Sequence, residues 1–132
     1  MDFDRLTSLT KVDISNNRFS ELPDSIYCLT QLRVLRMKNN HLTSISPQVV
    51  GISSLEEIEF DGNKIADPPA DIARMGFRHI MEYLGRRNDA GRSQELDLSK
   101  LGLEVVPFTL VQLTSLTALS LSNNLLETLD YQ

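Results

Sequence analysis

The chain has a single cysteine, Cys28, no tryptophan and only 6% aromatic residues among 132. A lone cysteine cannot close an internal disulfide, and no Asn-x-Ser/Thr acceptor occurs, so nothing here calls for an oxidising or secretory compartment. No apolar run approaches the ~18 residues that a membrane-spanning helix needs, and Met1 is not followed by a basic start and an apolar stretch. These absences point to the cytoplasm. Cations are in deficit as well: 13 Lys and Arg against 18 Asp and Glu leave a net charge of -5. Nucleic acid and anionic membrane are thereby disfavoured as partners, because phosphate binding draws on a surplus of Lys and Arg.

Chemistry-bearing clusters are scarce too. Neither His41 nor His79 has a Cys or carboxylate at ligand spacing, so no metal or cofactor is expected. Glu56, Glu57, Glu59 and Asp61 sit at successive strand positions without a pocket, and no D-x-D-x-D-G calcium loop or G-x-x-x-x-G-K-[ST] phosphate loop occurs. Cys28 beside Leu29 has no histidine near it and reads as a small buried hydrophobe, not a nucleophile. No catalytic residue is expected, and the chain does not read as an enzyme.

What the sequence has is periodicity. Leu9, Leu32 and Leu55 each open the pattern L-x-x-L-x-L-x-x-N-x-L, filled by Val12, Ile14, Asn17 and Phe19, then Leu35, Met37, Asn40 and Leu42, then Ile58, Phe60, Asn63 and Ile65. The phase is lost after Met75 and returns with Ser93, Leu96, Leu98, Leu101 and Leu103, then Leu116, Leu119, Leu121, Asn124 and Leu126. The 23-residue period resembles the leucine-rich repeat. It implies an α/β solenoid whose short parallel strands line a concave face, each coil burying its apolar residues against its neighbours. The Asn after each strand can donate to and accept from neighbouring loops, so Leu101 in its place predicts poorer satisfaction there. Phe3 and Leu6 fall late in an earlier repeat, and the repeat begun at Leu116 has Leu129 in place but no closing apolar residues after it. An excerpt of a longer repeat protein is the expected reading, with a complete small protein as the alternative.

Between the two arrays lies a different pattern. Asp67 followed by Pro68 and Pro69 reads as a helix start. Ala73, Gly76, Phe77, Ile80 and Leu84 then share one face at 3.6-residue spacing, bordered by Ile72 and Tyr83, while Asp71, Arg74, Arg78 and Glu82 line the other. The predicted organisation is leucine-rich repeats over 1–67, an inserted or capping amphipathic helix over 68–87, a polar linker over 88–92 and further repeats over 93–132. The third repeat is expected to supply the helix's cover.

The run Phe60-Asp61-Gly62-Asn63, two prolines, Ile72, Gly76, Ile80, Tyr83-Leu84 and Arg86-Arg87 resembles intracellular leucine-rich repeat proteins of the Ras-group class, and segments that precede the GTPase module of Roco proteins. That resemblance implies that the helix caps the first array, and that a small GTPase or its regulator is a partner. Asn63 departs from it, being followed by Lys64 where proline is usual.

The candidate site is the exposed side of the strands. Reading across the stack gives Lys11 and Asp13, then Arg36 and Lys38, then Glu57, Glu59 and Asp61, then Glu95 and Asp97. With parallel strands about 4.8 Å apart, Arg36 should face Glu59 and Lys38 should face Asp61. Such a strip reads either as self-neutralising charge on a solvated face or as a recognition surface for a partner protein in signalling or scaffolding. The competing role is a regulatory segment that packs inside a larger Roco-like GTPase or kinase and has no separate ligand.

Overall fold

The computed structural model describes residues 5–107, 110 and 112–127; Phe3 and Leu129 lie outside the described residues. Alternation of apolar and polar side chains makes short strands with one inward residue each. In the unit Met1–Ile65 these are β1 (Lys11–Asp13), β2 (Val34–Arg36) and β3 (Glu57–Glu59), parallel and in that order. Their register follows the repeat: Val12 lies against Leu35 and Leu35 against Ile58. Leu32, Leu35 and Met37 are fully buried, with Ile26, Leu29, Leu42, Ile45 and Val49 closing the coils around them. After Pro23, and starting at Pro47, the chain makes the 3-10 turns Asp24–Cys28 and Pro47–Gly51. The first of these corrects the reading of Cys28, which is exposed. A tight turn that points Ile26 inward cannot also bury a residue two places on.

The Asn ladder forms as its chemistry requires. Asn40 Nδ2 donates to the carbonyl oxygens of Met37 and of Ile14 in the preceding coil, and its Oδ1 accepts from the Phe19 amide. Asn63 repeats this one coil on, donating to Met37 and Phe60 and accepting from the amides of Asn40 and Leu42. Groups that would otherwise be buried unpaired are thereby satisfied. One position earlier the backbone is left-handed, at Asn16 (φ 62°), Asn39 (φ 55°) and Gly62 (φ 79°). Asn tolerates that region better than most residues and Gly enters it freely. At Gly62 a Cβ would also meet Asn39 Oδ1 at 2.0 Å.

The unit Ala66–Gln132 contains α1 (Ala70–Ala73), α2 (Phe77–Ser93), β4 (Glu95–Asp97) and β5 (Ala118–Ser120). β4 and β5 pair in parallel, Leu96 against Leu119. The single helix predicted over 68–87 is thus two, and the predicted linker over 88–92 is helical. Gly76 at φ 100° turns the chain between the helices in a conformation that a side chain would resist. At the far end Ala90 is buried and the helix continues past it until Gln94 turns left-handed, its amide closing on the Ala90 carbonyl. The buried face is also rotated from the predicted one. Ile72, Ile80, Tyr83 and Leu84 are buried, whereas Phe77 is only half-buried. Within its own unit α2 packs against β4 and α1.

Two polar clusters lock α2 in place. Arg86 donates through Nη1 to the carbonyl oxygens of Ser99 at 2.6 Å and Asp97 at 3.2 Å, and through Nη2 to Glu82. Asp67, itself buried, accepts from the Tyr83 hydroxyl at 2.7 Å and from Arg87, whose Nη1 also contacts that hydroxyl. Burial in the first place, and then the Asp67 carboxylate, push the Tyr83 hydroxyl well above the ordinary tyrosine range. The Asp-Pro-Pro and Tyr-Leu-x-x-Arg segments are therefore two halves of one buried clasp.

Leu101 also differs from expectation. Its amide and that of Leu103 both donate to Asn124 Oδ1 at 3.0 Å, and its side chain is buried. A ladder Asn additionally donates to the coil before it, as Asn124 does to the Leu98 carbonyl 26 residues back. The residue 26 before Leu101 is Met75, which stands at the turn between α1 and α2 and not in a strand. No strand carbonyl awaits a donor there.

Candidate interaction surface

Short parallel strands leave alternate side chains on one open face, and the register sorts them into rows. Lys11, Val34 and Glu57 form one row; Asp13, Arg36 and Glu59 form the next. Arg36 Nε approaches Glu59 Oε2 to 3.1 Å, an ion-pair contact without hydrogen-bond alignment, since that nitrogen is buried and has no hydrogen-bond acceptor. The predicted pair of Lys38 with Asp61 is replaced: Lys38 Nζ lies 3.7 Å from Glu59 Oε2. Glu59 therefore sits between both cations, its side chain 25% exposed against 34% for Arg36. A long flexible lysine reaches the carboxylate already beside an arginine in preference to the shorter Asp61. Glu57 and Asp61 have no ion-pair partner among the described residues.

At the end of β1 Asp13 accepts from the Ser15 amide at 3.0 Å, and at the end of β4 Asp97 accepts from the Ser99 amide at 2.9 Å. The serine side chain first and its amide second hold each carboxyl below the ordinary aspartate range. These two aspartates are consequently tied to their own turns. Glu95 is exposed on β4, in a row with Ala118. The structure thus assembles Lys11, Asp13, Arg36, Lys38, Glu57, Glu59 and Asp61 within Met1–Ile65, and places Glu95 and Asp97 on the strand face of the other unit.

Some residues that shape this surface escape the periodic reading. Asn16 and Asn39 occupy the left-handed positions, and Asn39 Nδ2 donates to Asn16 Oδ1 at 2.9 Å, a second and exposed ladder beside the buried one. Its signal in the sequence is the doublet at 16–17, 39–40 and 123–124. Arg33 and Glu56, one residue before the strands, pair at 3.0 Å on the surface. Among the described residues no group of three His, Cys, Asp or Glu could hold a metal ion, and no helix is long and apolar enough to cross a membrane.

A leucine-rich repeat family pattern matches residues 3–65. Those residues, just under half of the chain, are of the leucine-rich repeat type. Over 123 residues, 92% of its length, it is 32% identical to the "Ras guanine nucleotide exchange factor V" of Dictyostelium discoideum. Over 130 residues, 96% of its length, it is 32% identical to an "Adenylate cyclase" of Schizosaccharomyces pombe. Over 125 residues, 91% of its length, it is 33% identical to the "Probable inactive serine/threonine-protein kinase roco10" of Dictyostelium discoideum. The chain spans only 5%, 7% and 4% of those proteins. Similarity to large signalling proteins agrees with the resemblance carried by the Asp-Gly-Asn, Pro-Pro and Tyr-Leu segments.

Proposed function

We propose that this chain is a protein-binding module of a cytoplasmic signalling or scaffolding protein, a solenoid that presents the strand face of β1 to β3 as its concave recognition surface. One observation carries the reading. Among the described residues Glu57 and Asp61 stand without ion-pair partners on either side of Glu59, whose one carboxylate is shared by Arg36 and Lys38, so β3 and its turn present unpaired acids beside a cationic row. Unneutralised charge on an open strand face sets partner choice and on-rate more than raw affinity. The relatives support a non-catalytic role, since a guanine nucleotide exchange factor, a cyclase and a probable inactive kinase differ in name yet share similarity to this one segment.

The partner class we assign is a small GTPase or a regulator of one, because one relative is named as a Ras exchange factor. The kinase relative favours a second reading, in which the repeats pack against other parts of a larger Roco-like protein. A Ras-type small GTPase, titrated against the chain and against a variant with Glu57 and Asp61 reversed to Lys, separates the two. Binding that the reversal abolishes supports the first reading; no binding by either protein removes the small GTPase.

A further inference from the structure

We infer that the loops following β1, β2 and β3 carry a docking strip for a short acidic segment of a partner protein. Arg18, His41 and Lys64 occupy one position of three successive repeats, each directly after its ladder Asn. The ladder bonds hold these loops in register. The His41 amide donates to the Phe19 carbonyl at 2.9 Å, and the Leu42 amide donates to Asn63 Oδ1 at 3.0 Å, so each basic residue is set beside the next. All three side chains are exposed, and none has an ion-pair partner among the described residues. Between His41 and Lys64 the surface sinks into a groove lined also by Asn40, Leu42, Thr43 and Gly62.

Two features select an acidic peptide as the occupant. The first is that the row stands alone. Within 16–20, 39–43 and 62–65 no other side chain is ionisable, so these loops form a basic band in a protein of net charge -5. Exposed charges act over about 8 Å at physiological salt, and a short anion on the band therefore senses Arg18 and Lys64 more than the acidic remainder. The second is layout. One basic side chain per coil, at about 4.8 Å per coil, makes a line about 10 Å long, which three or four residues of extended chain cover at about 3.4 Å each. A line does not chelate one phosphate group, which needs converging donors. A nucleic-acid backbone would run past the line onto acidic surface. This band is opposite in sign to the Glu57 and Asp61 face, and neither reading depends on the other.

Proton–nitrogen NMR spectra of the full chain, titrated with a capped hexapeptide of alternating Asp and Glu, test this. Saturable shifts should appear at the amides of Arg18, His41, Thr43 and Lys64, and a peptide of Asn and Gln should produce none. Arg18→Gln and Lys64→Gln should each weaken binding by about threefold, and together by about tenfold, with the circular dichroism melt unchanged. No saturable shift at millimolar peptide overturns the inference, as does equal binding of the uncharged peptide. A double variant that keeps the parent affinity places the contact elsewhere and overturns it equally. Single-stranded oligothymidylate that shifts the same amides at lower concentration than the peptide assigns the row to phosphate backbones, and that result also overturns it.

Discussion

The Arg86 guanidinium lies 2.6 Å from the Ser99 carbonyl oxygen and also bonds that of Asp97, the acceptors that elsewhere serve the preceding strand. In the first unit the equivalent carbonyls, of Arg36 and Lys38, accept from the amides of Ile14 and Asn16; in the second, those of Ser120 and Ser122 accept from Leu98 and Lys100. Arg86 therefore does for β4 what a strand does for β2 and β5. Arg86→Ala should lower stability by about 1 to 3 kcal/mol, because it leaves strand carbonyls unpaired. Arg86→Lys, with one ammonium in place of a fork, should recover only part of this in a denaturant melt.

The Asp67, Tyr83 and Arg87 clasp predicts a pH dependence with a definite sign. The folded state holds the Tyr83 proton more tightly than the unfolded chain does. As pH rises above about 10, the ordinary tyrosine value, the unfolded state loses that proton first, so fewer protons are bound unfolded than folded and stability falls. Below that pH the contribution is complete. Thermal melts across this range should decline more steeply for the parent than for Tyr83→Phe, and parallel curves would dismiss the clasp as the source.

Breaking the same clasp from its other side should cost more. Arg87→Ala leaves the buried Asp67 carboxylate with only a hydroxyl donor, a loss on the order of 3 to 5 kcal/mol. An unfolding midpoint within error of the parent would show that water already reaches Asp67.

Leu35 is 0% exposed between repeats on both sides. Leu35→Ala removes burial and opens a cavity, at about 2 to 5 kcal/mol. A melt displaced by only a degree or two would contradict the assigned repeat phase.

Much of this architecture is legible from period alone. Val12, Leu35, Ile58, Leu96 and Leu119 occupy strand centres as the 23-residue spacing requires, and Asn40, Asn63 and Asn124 bond as a ladder must, because periodicity encodes which side faces in. Features that depend on a single backbone angle or a single reach are not periodic. Gly76 breaks the helix through one positive φ. Lys38 chooses Glu59 over Asp61 by side-chain length. Cys28 turns outward because a 3-10 turn, not an α-helix, closes the coil. Arg86 and Arg87 show the same limit, since their side chains reach strand carbonyls and a buried carboxylate that no repeat position marks. For the strand face, the rows of charge follow from register, whereas which acids remain unpaired does not.

Calorimetric titration of a Ras-type small GTPase into the chain, compared with the Glu57→Lys and Asp61→Lys double variant, tests the recognition surface most directly. Both substitutions are at exposed positions and should shift the melt by no more than about 0.5 kcal/mol. The account predicts saturable binding by the parent that weakens as salt is raised, as expected for exposed charges, and that disappears in the double variant. Equal affinity of the two proteins would contradict it.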